Sequence, residues 1–289
     1  MKALFVTTDT DDMETLIGAW QPWNAAPARR VSFAIRKNPV DPAILGAARE
    51  YVPDVIFYVG GNAGPGLPSH DTFKALRGVA KTVHLCWDAS DYPWHETLFG
   101  YAVDECFDLQ VAIDGALDAP VDMATLCPID PRAFDEANGP RDIRCGFSGQ
   151  AFPEQPRWDV IGPLLEKSLV TVRQRSAEPY PAYAGFLRRC EIVFNSSICG
   201  SGTRHQVKMR VIETALAGAA LLETEGSPTE RWFPREAMFH YRDAAEAERI
   251  IATASRNEVE DRAARLAEEV RADHRPEDIY RSILARVGL

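Results

Sequence analysis

A loop of small residues and the segment that follows it carry the side chains best suited to binding an anion. Residues 196–206 are rich in Gly and Ser and follow an apolar strand, and residues 207–217 have the pattern of a helix. Arg204, Lys208 and Arg210 add positive charge at this junction. Backbone N–H groups at a helix start, beside a loop that allows close approach, form a phosphate site. The alternative is a solvated helix face, and we favour phosphate binding.

A carboxylate lies close to these cations on the expected helix. Glu213 comes three residues after Arg210, and residues three or four apart face the same side of a helix. Cations bind phosphates and a carboxylate accepts hydrogen bonds from ribose hydroxyls, so this combination suits a nucleoside diphosphate. In the loop, we expect Gly202 and Thr203 to supply backbone donors, and His205 either to contact the ligand or to pack within the loop.

A second group of polar and aromatic residues lies at the end of an expected strand in the first half of the chain. His84, Asp88 and Asp91 lie on or just after residues 82–87, and parallel strands bind ligands at their carboxyl ends. A carboxylate there could accept a proton from an attacking hydroxyl. The flat rings nearby, which suit a sugar ring, belong to Trp87, Tyr92 and Trp94. A helix cap with surface aromatics fits the sequence equally well.

Strands and helices alternate on both sides of a break at residues 138–140, which read Asn-Gly-Pro. The expected strands cover residues 2–7, 31–35, 55–59, 82–87 and 109–113 before the break, and residues 143–147, 169–173 and 191–195 after it. Such alternation predicts parallel sheets of the α/β class. We therefore expect two α/β domains with a boundary near residue 140.

Length and charge limit the classes of function. The chain has 289 residues, enough for two domains, and its formal net charge of -10 makes it a poor non-specific binder of nucleic acid. No apolar run reaches the length of a membrane span, and the N-terminus lacks a basic start followed by a long apolar stretch. We therefore expect a cytoplasmic protein with no membrane span.

Several segments resemble sequences of one enzyme group. Glu213-Thr-Ala-Leu-Ala-Gly218, followed by the apolar residues 219–222, looks like the donor-site helix of glycosyltransferases with the GT-B fold. Residues 128–134 are similar to the segment between the two domains of that fold. Three segments further along the chain also resemble these glycosyltransferases, namely residues 233–236, 239–243 and 274–284. The resemblance is greatest to the spore-protein (CgeB-type) glycosyltransferase-like group.

The resemblance implies a GT-B fold, with two Rossmann-like domains facing across a cleft. Residues 1–140 would form the N-terminal acceptor domain, and residues 141–270 would form the domain that binds a nucleotide sugar. Residues 271–289 would form a helix that packs back on the first domain.

Carried over residue by residue, the resemblance also assigns the donor site. It implies that Glu213 holds the ribose and that Lys208 and Arg210 lie near the diphosphate. Gly149 would line the loop after the first strand of the second domain. Many retaining members carry a second Glu eight positions before the helix Glu, where this chain has His205. The retaining pattern is therefore incomplete.

Metal ligands are not grouped in this sequence. Asp9-Thr10-Asp11 resembles the metal-binding DxD of the other glycosyltransferase fold, but it follows a strand and is better explained as a helix cap. The 6 Cys residues are scattered singly and form no Cys-x-x-Cys pair, which predicts reduced, buried thiols. We expect no metal and no cofactor beyond the nucleotide sugar itself.

The expected function is metal-independent transfer of a sugar from a nucleotide-diphosphate sugar to an acceptor hydroxyl. A UDP- or GDP-linked hexose is the expected donor, and a glycan or small molecule is the expected acceptor. We hypothesise an inverting reaction with Asp88, or failing that Asp91, as general base. The alternatives are a nucleotide-sugar epimerase or hydrolase on the same fold, and a catalytically silent partner that only binds the nucleotide sugar.

Overall fold

The chain folds as two compact units in the computed structural model, which describes residues 1–10, 13–24, 26–34, 37, 40–60, 66–135, 139–174 and 179–289. The first unit combines Met1–Asp130 with Pro276–Leu289, and the second unit is Pro131–Arg275. The second unit thus begins before the boundary that we expected near residue 140. Asp11 and Asn138, which we interpreted as a helix cap and part of a break, lie outside the described residues.

Each unit contains a parallel sheet, so the expected α/β fold class is confirmed. The strands of the first sheet are β1 (Ala3–Thr8), β2 (Arg29–Phe33), β3 (Val55–Val59), β4 (Lys81–Cys86), β5 (Leu109–Ala112) and β6 (Met123–Ala124). Those of the second sheet are β7 (Ile143–Ser148), β8 (Thr171–Arg173), β9 (Cys190–Phe194), β10 (Ala220–Thr224) and β11 (Phe239–Tyr241). Their spatial orders are β2-β1-β3-β4-β5-β6 and β11-β10-β9-β7-β8.

Helices connect these strands, as parallel pairing requires. They are α1 (Glu14–Trp20), α2 (Asp41–Tyr51), α3 (His70–Arg77), α4 (Tyr92–Val103), α5 (Trp158–Glu166), α6 (Tyr180–Arg189), α7 (Arg210–Leu216), α8 (Ala244–Thr253), α9 (Arg256–Asp273) and α10 (Pro276–Arg286). Among the described residues, no helix is long and apolar enough to cross a membrane.

The last helix, α10, belongs to the first unit although it is the end of the chain. Its Tyr280 is fully buried, and the Tyr280 hydroxyl donates to the carbonyl oxygen of Leu16 at 2.8 Å. The Tyr280 ring also meets Trp20 edge-on at 5.2 Å and Phe57 at 5.5 Å between centroids. These contacts bury a large aromatic side chain against α1 and β3 and fasten the C-terminal residues to the first sheet.

In the second unit, one arginine ties together the ends of three elements near the amino edge of the sheet. Arg141 donates to the carbonyl oxygens of Arg188 and Cys190, where α6 ends and β9 begins, and to those of Ala217 and Gly218 after α7. One guanidinium thus donates to four carbonyl groups at the ends of these elements.

Two elements, α7 and α4, matter for the site. The helix expected over residues 207–217 begins only at Arg210, so Lys208 belongs to the preceding loop. The segment after Asp91 forms the helix α4, which agrees with the helix-cap alternative that we considered at this place. The later start of α7 changes which side chains are able to reach a ligand.

Candidate active site

Arg210 is held at the carboxyl edge of the second sheet by contacts to two neighbouring strands. Its Nη1 donates to Asn195 Oδ1 at 2.9 Å, directly after β9, and its Nη2 donates to the carbonyl oxygen of Ser148, the last residue of β7. The guanidinium lies over the Phe147 ring, 4.8 Å from the centroid. Arg210 is thus a fixed cation where ligands bind to parallel sheets.

Gly149 follows β7 and leaves room for this guanidinium. Its φ is +149°, a conformation that residues with a side chain rarely adopt. A Cβ atom there would lie 3.0 Å from Phe147 Cζ and 3.3 Å from Arg210 Nη2. The structure therefore places Gly149 next to Arg210, as the expected donor site requires.

A second arginine, which the sequence analysis missed, lies on the same ring. The guanidinium of Arg157 is 6.0 Å from the centroid of Phe147. Burial lowers the pKa of Arg157, and the positive charge of Arg210 lowers it further. In the described part of the chain, the Nε atoms of Arg157 and Arg210 are both buried and have no hydrogen-bond partner. An anion that contacts both guanidiniums would relieve the repulsion between them.

Arg173, at the end of β8, extends this group of cations. Its Nη1 lies 3.5 Å from Ser148 Oγ, and its guanidinium is 5.9 Å from the centroid of the Tyr183 ring. Arg173 and Arg210 therefore both contact Ser148, the first through its hydroxyl and the second through its carbonyl oxygen. We refer to Arg157, Arg173 and Arg210 together as the arginine cluster.

Glu213 is less accessible than the ribose assignment suggested. Only 3% of the residue is exposed, and its Oε1 and Oε2 atoms accept from the hydroxyls of Tyr180 and Tyr183 at 2.6 Å and 2.5 Å. Burial and the charge of Glu213 raise the pKa of Tyr183 well above its usual value. A carboxylate can accept about four hydrogen bonds. Ribose binding by Glu213 therefore remains a prediction that requires a sugar hydroxyl to reach a nearly buried group.

The Gly/Ser loop is folded back on itself as a short antiparallel turn. Ile198 and His205 form an isolated bridge, and Cys199 N donates to Arg204 O at 2.8 Å. At the tip, Gly202 has a φ of +76° and Thr203 is exposed. The residues predicted to bind the donor in this loop are thus brought together on one turn.

His205 contacts the loop itself. Its Nδ1 atom lies 2.7 Å from Ser197 Oγ, and burial together with the charge of Lys208 lowers its pKa. The ring is therefore neutral at pH 7. His205 is hydrogen-bonded to the loop but exposed, so both roles that we considered stay predictions. Lys208 is partly exposed after the same turn.

In the first unit, Asp88 and Asp91 lie at the carboxyl edge of the sheet, in the turn between β4 and α4. Asp91 N donates to Asp88 O at 2.9 Å, and Trp94 N donates to Asp91 O at 3.1 Å. Asp88 is exposed, while Asp91 and Trp87 are partly buried. The side chain of Tyr92 lies outside what the structure describes.

Two residues predicted to bind the acceptor are buried, and this corrects the prediction. His84 is fully buried among the rings of Tyr58, Tyr101 and Phe107, with centroids 5.1–5.3 Å away. Burial lowers the pKa of His84 to about 3, so the ring is neutral. Trp94 is 4% exposed and packs in the core. Both residues stabilise the first unit and are not available to a sugar.

A buried carboxylate beside Asp88 was not foreseen. Asp114 follows β5, is 3% exposed, and accepts from Ser90 N at 2.9 Å through Oδ2. Among the described residues, its Oδ1 atom has no hydrogen-bond partner. Burial is the main cause that raises the pKa of Asp114 to about 7, and the charge of Asp88 adds to it. The carboxyl edge of the first sheet thus carries two neighbouring carboxyl groups with different environments.

Comparison with known proteins assigns the family. Residues 132–285 match the sequence model of a family described as glycosyl transferase-like. This chain belongs to that family. The arginine cluster, Glu213 and the Gly/Ser loop all lie inside the matched residues, whereas Asp88 and Asp114 lie outside them. No curated protein matches the sequence.

Solved structures of glycosyltransferases share the fold over the whole chain. HepE from Anabaena, in complex with UDP-glucose, has a TM-score of 0.64 at 12% identity, covering 99% of this chain and 98% of that one. Sucrose-phosphate synthase from Thermosynechococcus elongatus has a TM-score of 0.62 at 12% identity, covering 99% of each chain. Trehalose-6-phosphate synthase (OtsA) has a TM-score of 0.63 at 11% identity, covering 100% and 99%. The GT-B fold is therefore confirmed for this member of the glycosyl transferase-like family, while the CgeB-type subgroup stays a prediction.

Proposed function

We propose that the protein transfers a sugar from a nucleotide-diphosphate sugar to an acceptor hydroxyl. The observation that carries the proposal is the pair of partly buried guanidiniums, Arg157 and Arg210, on the ring of Phe147. Their Nε atoms lack partners within the described residues, and both arginines lie in the stretch that matches the family. A diphosphate supplies the acceptor oxygens and the negative charge that such a pair needs.

The same geometry suits the bond-breaking step. When the bond between the sugar and the diphosphate breaks, negative charge develops on the leaving oxygen. The Arg210 guanidinium, which Phe147, Ser148 and Asn195 already hold in place, stabilises that charge without reorganising. The proposal includes metal independence, because the arginine cluster supplies the charge that a divalent cation supplies in other enzymes.

The proposed donor is a UDP- or GDP-linked hexose, and the proposed acceptor is a hydroxyl group of a glycan or small molecule. The bound UDP-glucose of HepE supports a uridine nucleotide. A net charge of -10 argues against a nucleic-acid acceptor, although one solved α-glucosyltransferase with this fold is in complex with DNA. We place the reaction in the cytoplasm.

We propose that Asp88 is the general base that accepts the proton of the acceptor hydroxyl, and that Asp91 is the second candidate. We also propose that the anomeric configuration of the sugar is inverted. Asp88 is exposed at the carboxyl end of β4, so its carboxylate is accessible to a hydroxyl group. The buried Asp114 keeps a further carboxyl group beside it.

Calorimetric titration with UDP, UDP-glucose and uridine tests the proposal. Arg157→Met should weaken UDP binding by about 1.5–3 kcal/mol, the scale of a hydrogen bond to a charged group, and should hardly change uridine binding. Arg256→Met is the matched control, because Arg256 is exposed on α9 and forms an ion pair with Glu260. Equal losses for UDP and uridine contradict the assignment of Arg157. A wild-type protein that binds neither UDP, GDP nor their sugars rejects the function. Product analysis then separates transfer from hydrolysis, rearrangement or binding alone.

A further inference from the structure

A buried carboxylate lies behind the arginine cluster in the second unit. Glu223, near the end of β10, is fully buried, and three donors converge on it. Its Oε1 atom accepts from Thr224 N at 2.7 Å. Its Oε2 atom accepts from Asn195 Nδ2 at 2.7 Å and from Thr229 Oγ1 at 3.0 Å. No role in the proposed reaction has so far been assigned to this group.

The contacts of Glu223 determine the orientation of the amide of Asn195. An ionised carboxylate only accepts hydrogen bonds, so the Asn195 amino group must face Glu223. The Asn195 carbonyl oxygen then faces Arg210, which only donates, at 2.9 Å from Nη1. The backbone of Asn195 is fixed as well, because its N donates to Leu222 O at 2.8 Å and its O accepts from the Tyr241 hydroxyl at 2.9 Å.

We propose that Glu223 is a positioning residue that aims the Arg210 guanidinium at the donor diphosphate through the amide of Asn195. This inference rests on the proposed function for what Arg210 binds, but the positioning itself is a property of the ligand-free protein. Burial raises the pKa of Glu223, while the hydrogen bonds from Asn195, Thr224 and Thr229 and the charge of Arg210 act in the opposite direction.

The contacts of Glu223 require a hydrogen-bond acceptor at both of its oxygen positions. In Glu223→Gln, the new amide group must face either Asn195 Nδ2 or Thr224 N, and both are donors. If it faces Asn195, the Asn195 amide turns over and presents its own amino group to Arg210. Two donors then oppose each other, and Arg210 loses a contact that fixes it.

Reversing the polarity of the pair restores the contacts that link residue 223 to Arg210, although the Thr229 hydroxyl then faces an amino group and has to accept instead of donate. In the double variant Asn195→Asp with Glu223→Gln, the Gln amide donates to the new carboxylate, and the new carboxylate accepts from Arg210. The Gln carbonyl oxygen continues to accept from Thr224 N. Glu225→Gln is the matched control, because Glu225 lies two residues further along, is exposed, and pairs with Arg235.

Two readouts test the inference, namely the Kd for UDP and the side-chain NMR signal of Arg210 in the ligand-free protein, assigned with Arg210→Lys. Glu223→Gln should weaken UDP binding by at least about tenfold, which corresponds to about 1.4 kcal/mol, and should broaden or lose the Arg210 signal. The double variant should recover most of the affinity and the ordered signal, and Glu225→Gln should behave as wild type. Circular dichroism confirms that each variant is folded.

The outcomes separate this inference from the proposed function. A folded Glu223→Gln with wild-type affinity and an unchanged Arg210 signal overturns the positioning role. A double variant that remains as impaired as Glu223→Gln overturns it too, because the polarity of the contacts then does not matter. If the wild type binds no nucleotide, the proposed function fails, while the Arg210 signals of the same variants still decide whether Glu223 positions the guanidinium.

Discussion

Asp114 shows how burial changes the titration of a carboxyl group at the end of the first sheet. Asp114 has a pKa of about 7 because burial disfavours its charged form, whereas Asp88 is exposed. A carboxyl group that stays protonated up to neutral pH couples the stability of the fold to pH.

The sign of this coupling follows from the two states of the protein. Between about pH 4 and pH 7, Asp114 is ionised in the unfolded chain but protonated in the folded one, so the folded state binds the extra proton. Stability due to this group is therefore greatest at low pH and is lost as the pH rises through about 7.

Asp114→Asn removes this titration while keeping an acceptor for Ser90 N. Relative to wild type, the variant should gain about 2 kcal/mol in unfolding free energy between pH 5 and pH 8. Urea denaturation of both proteins at these two pH values measures the difference. A difference between variant and wild type that stays constant with pH contradicts the raised pKa.

Asp88 is the residue on which the proposed chemistry of the first unit depends. Asp88→Asn keeps the size of the side chain but removes the proton acceptor, and it should lower kcat by about 10²–10⁴-fold. Donor affinity should stay unchanged, because Asp88 lies outside the unit that carries the arginine cluster. Asp91→Asn is the control. If chemistry limits the rate and both variants keep the turnover of the wild type, neither aspartate is the base. A product with the anomeric configuration of the donor rejects inversion independently.

At the scale of elements, the side chain of Arg141 holds together the helix and strand ends that support the site. It joins the end of α6, the start of β9 and the end of α7 through carbonyl oxygens, and α7 carries Arg210 at its start. Arg141→Met should lower the unfolding free energy by more than about 2 kcal/mol, because partly buried carbonyl groups lose charged donors. Arg189→Met, which removes an exposed ion pair with Asp142, should cost at most about 1 kcal/mol. Equal losses in the two variants contradict the role of Arg141.

The elements predicted best are those whose pattern is strong locally. Strand β3 has five apolar residues that are all buried, and it has the bounds that the sequence predicts. Helix α4 has no polar face, and its Phe99 and Val103 are 58% and 81% exposed. The periodicity that reveals a surface helix is therefore absent there.

The sequence predicted the site residues that are close together along the chain, but not those that the fold brings together. The cations after the Gly/Ser loop were recognised because they are adjacent in sequence, and Gly149 was recognised by resemblance. Glu223 meets Asn195 only after β9 and β10 have paired. Arg157 reaches the ring of Phe147 through the fold of the connection between β7 and α5, which no periodicity in the sequence indicates. Likewise, the burial of Glu213 depends on two tyrosines of α6, which no spacing around Glu213 indicates.

At the scale of the whole molecule, the first unit is discontinuous in sequence. Residues Met1–Asp130 fold with Pro276–Leu289, so the chain must pass through the entire second unit before the first is complete. The second unit, Pro131–Arg275, is continuous and carries the arginine cluster. Contacts that close over such a long separation in sequence are costly in chain entropy, and α10 must make up that cost by burial.

Substitution of Tyr280 tests whether the packing of α10 stabilises the first unit. It is fully buried, meets Trp20 and Phe57 edge-on, and donates its hydroxyl hydrogen to Leu16 O. Removing a large buried aromatic ring costs about 3–5 kcal/mol, so Tyr280→Ala should markedly destabilise the first unit. Tyr280→Phe keeps the ring and should cost only about 1 kcal/mol for the lost hydrogen bond.

Hydrogen exchange followed by mass spectrometry distinguishes the two units in these variants. In Tyr280→Ala, protection should fall in β1, β3 and α1, while β7, β9 and β10 keep theirs and UDP binding persists. This outcome follows because Leu16, Trp20 and Phe57, which Tyr280 contacts, lie within the first unit. The arginine cluster and Glu223 lie within the second unit. A uniform loss of protection across both units would show instead that they unfold as one cooperative body, with α10 stabilising the whole chain rather than the discontinuous unit alone.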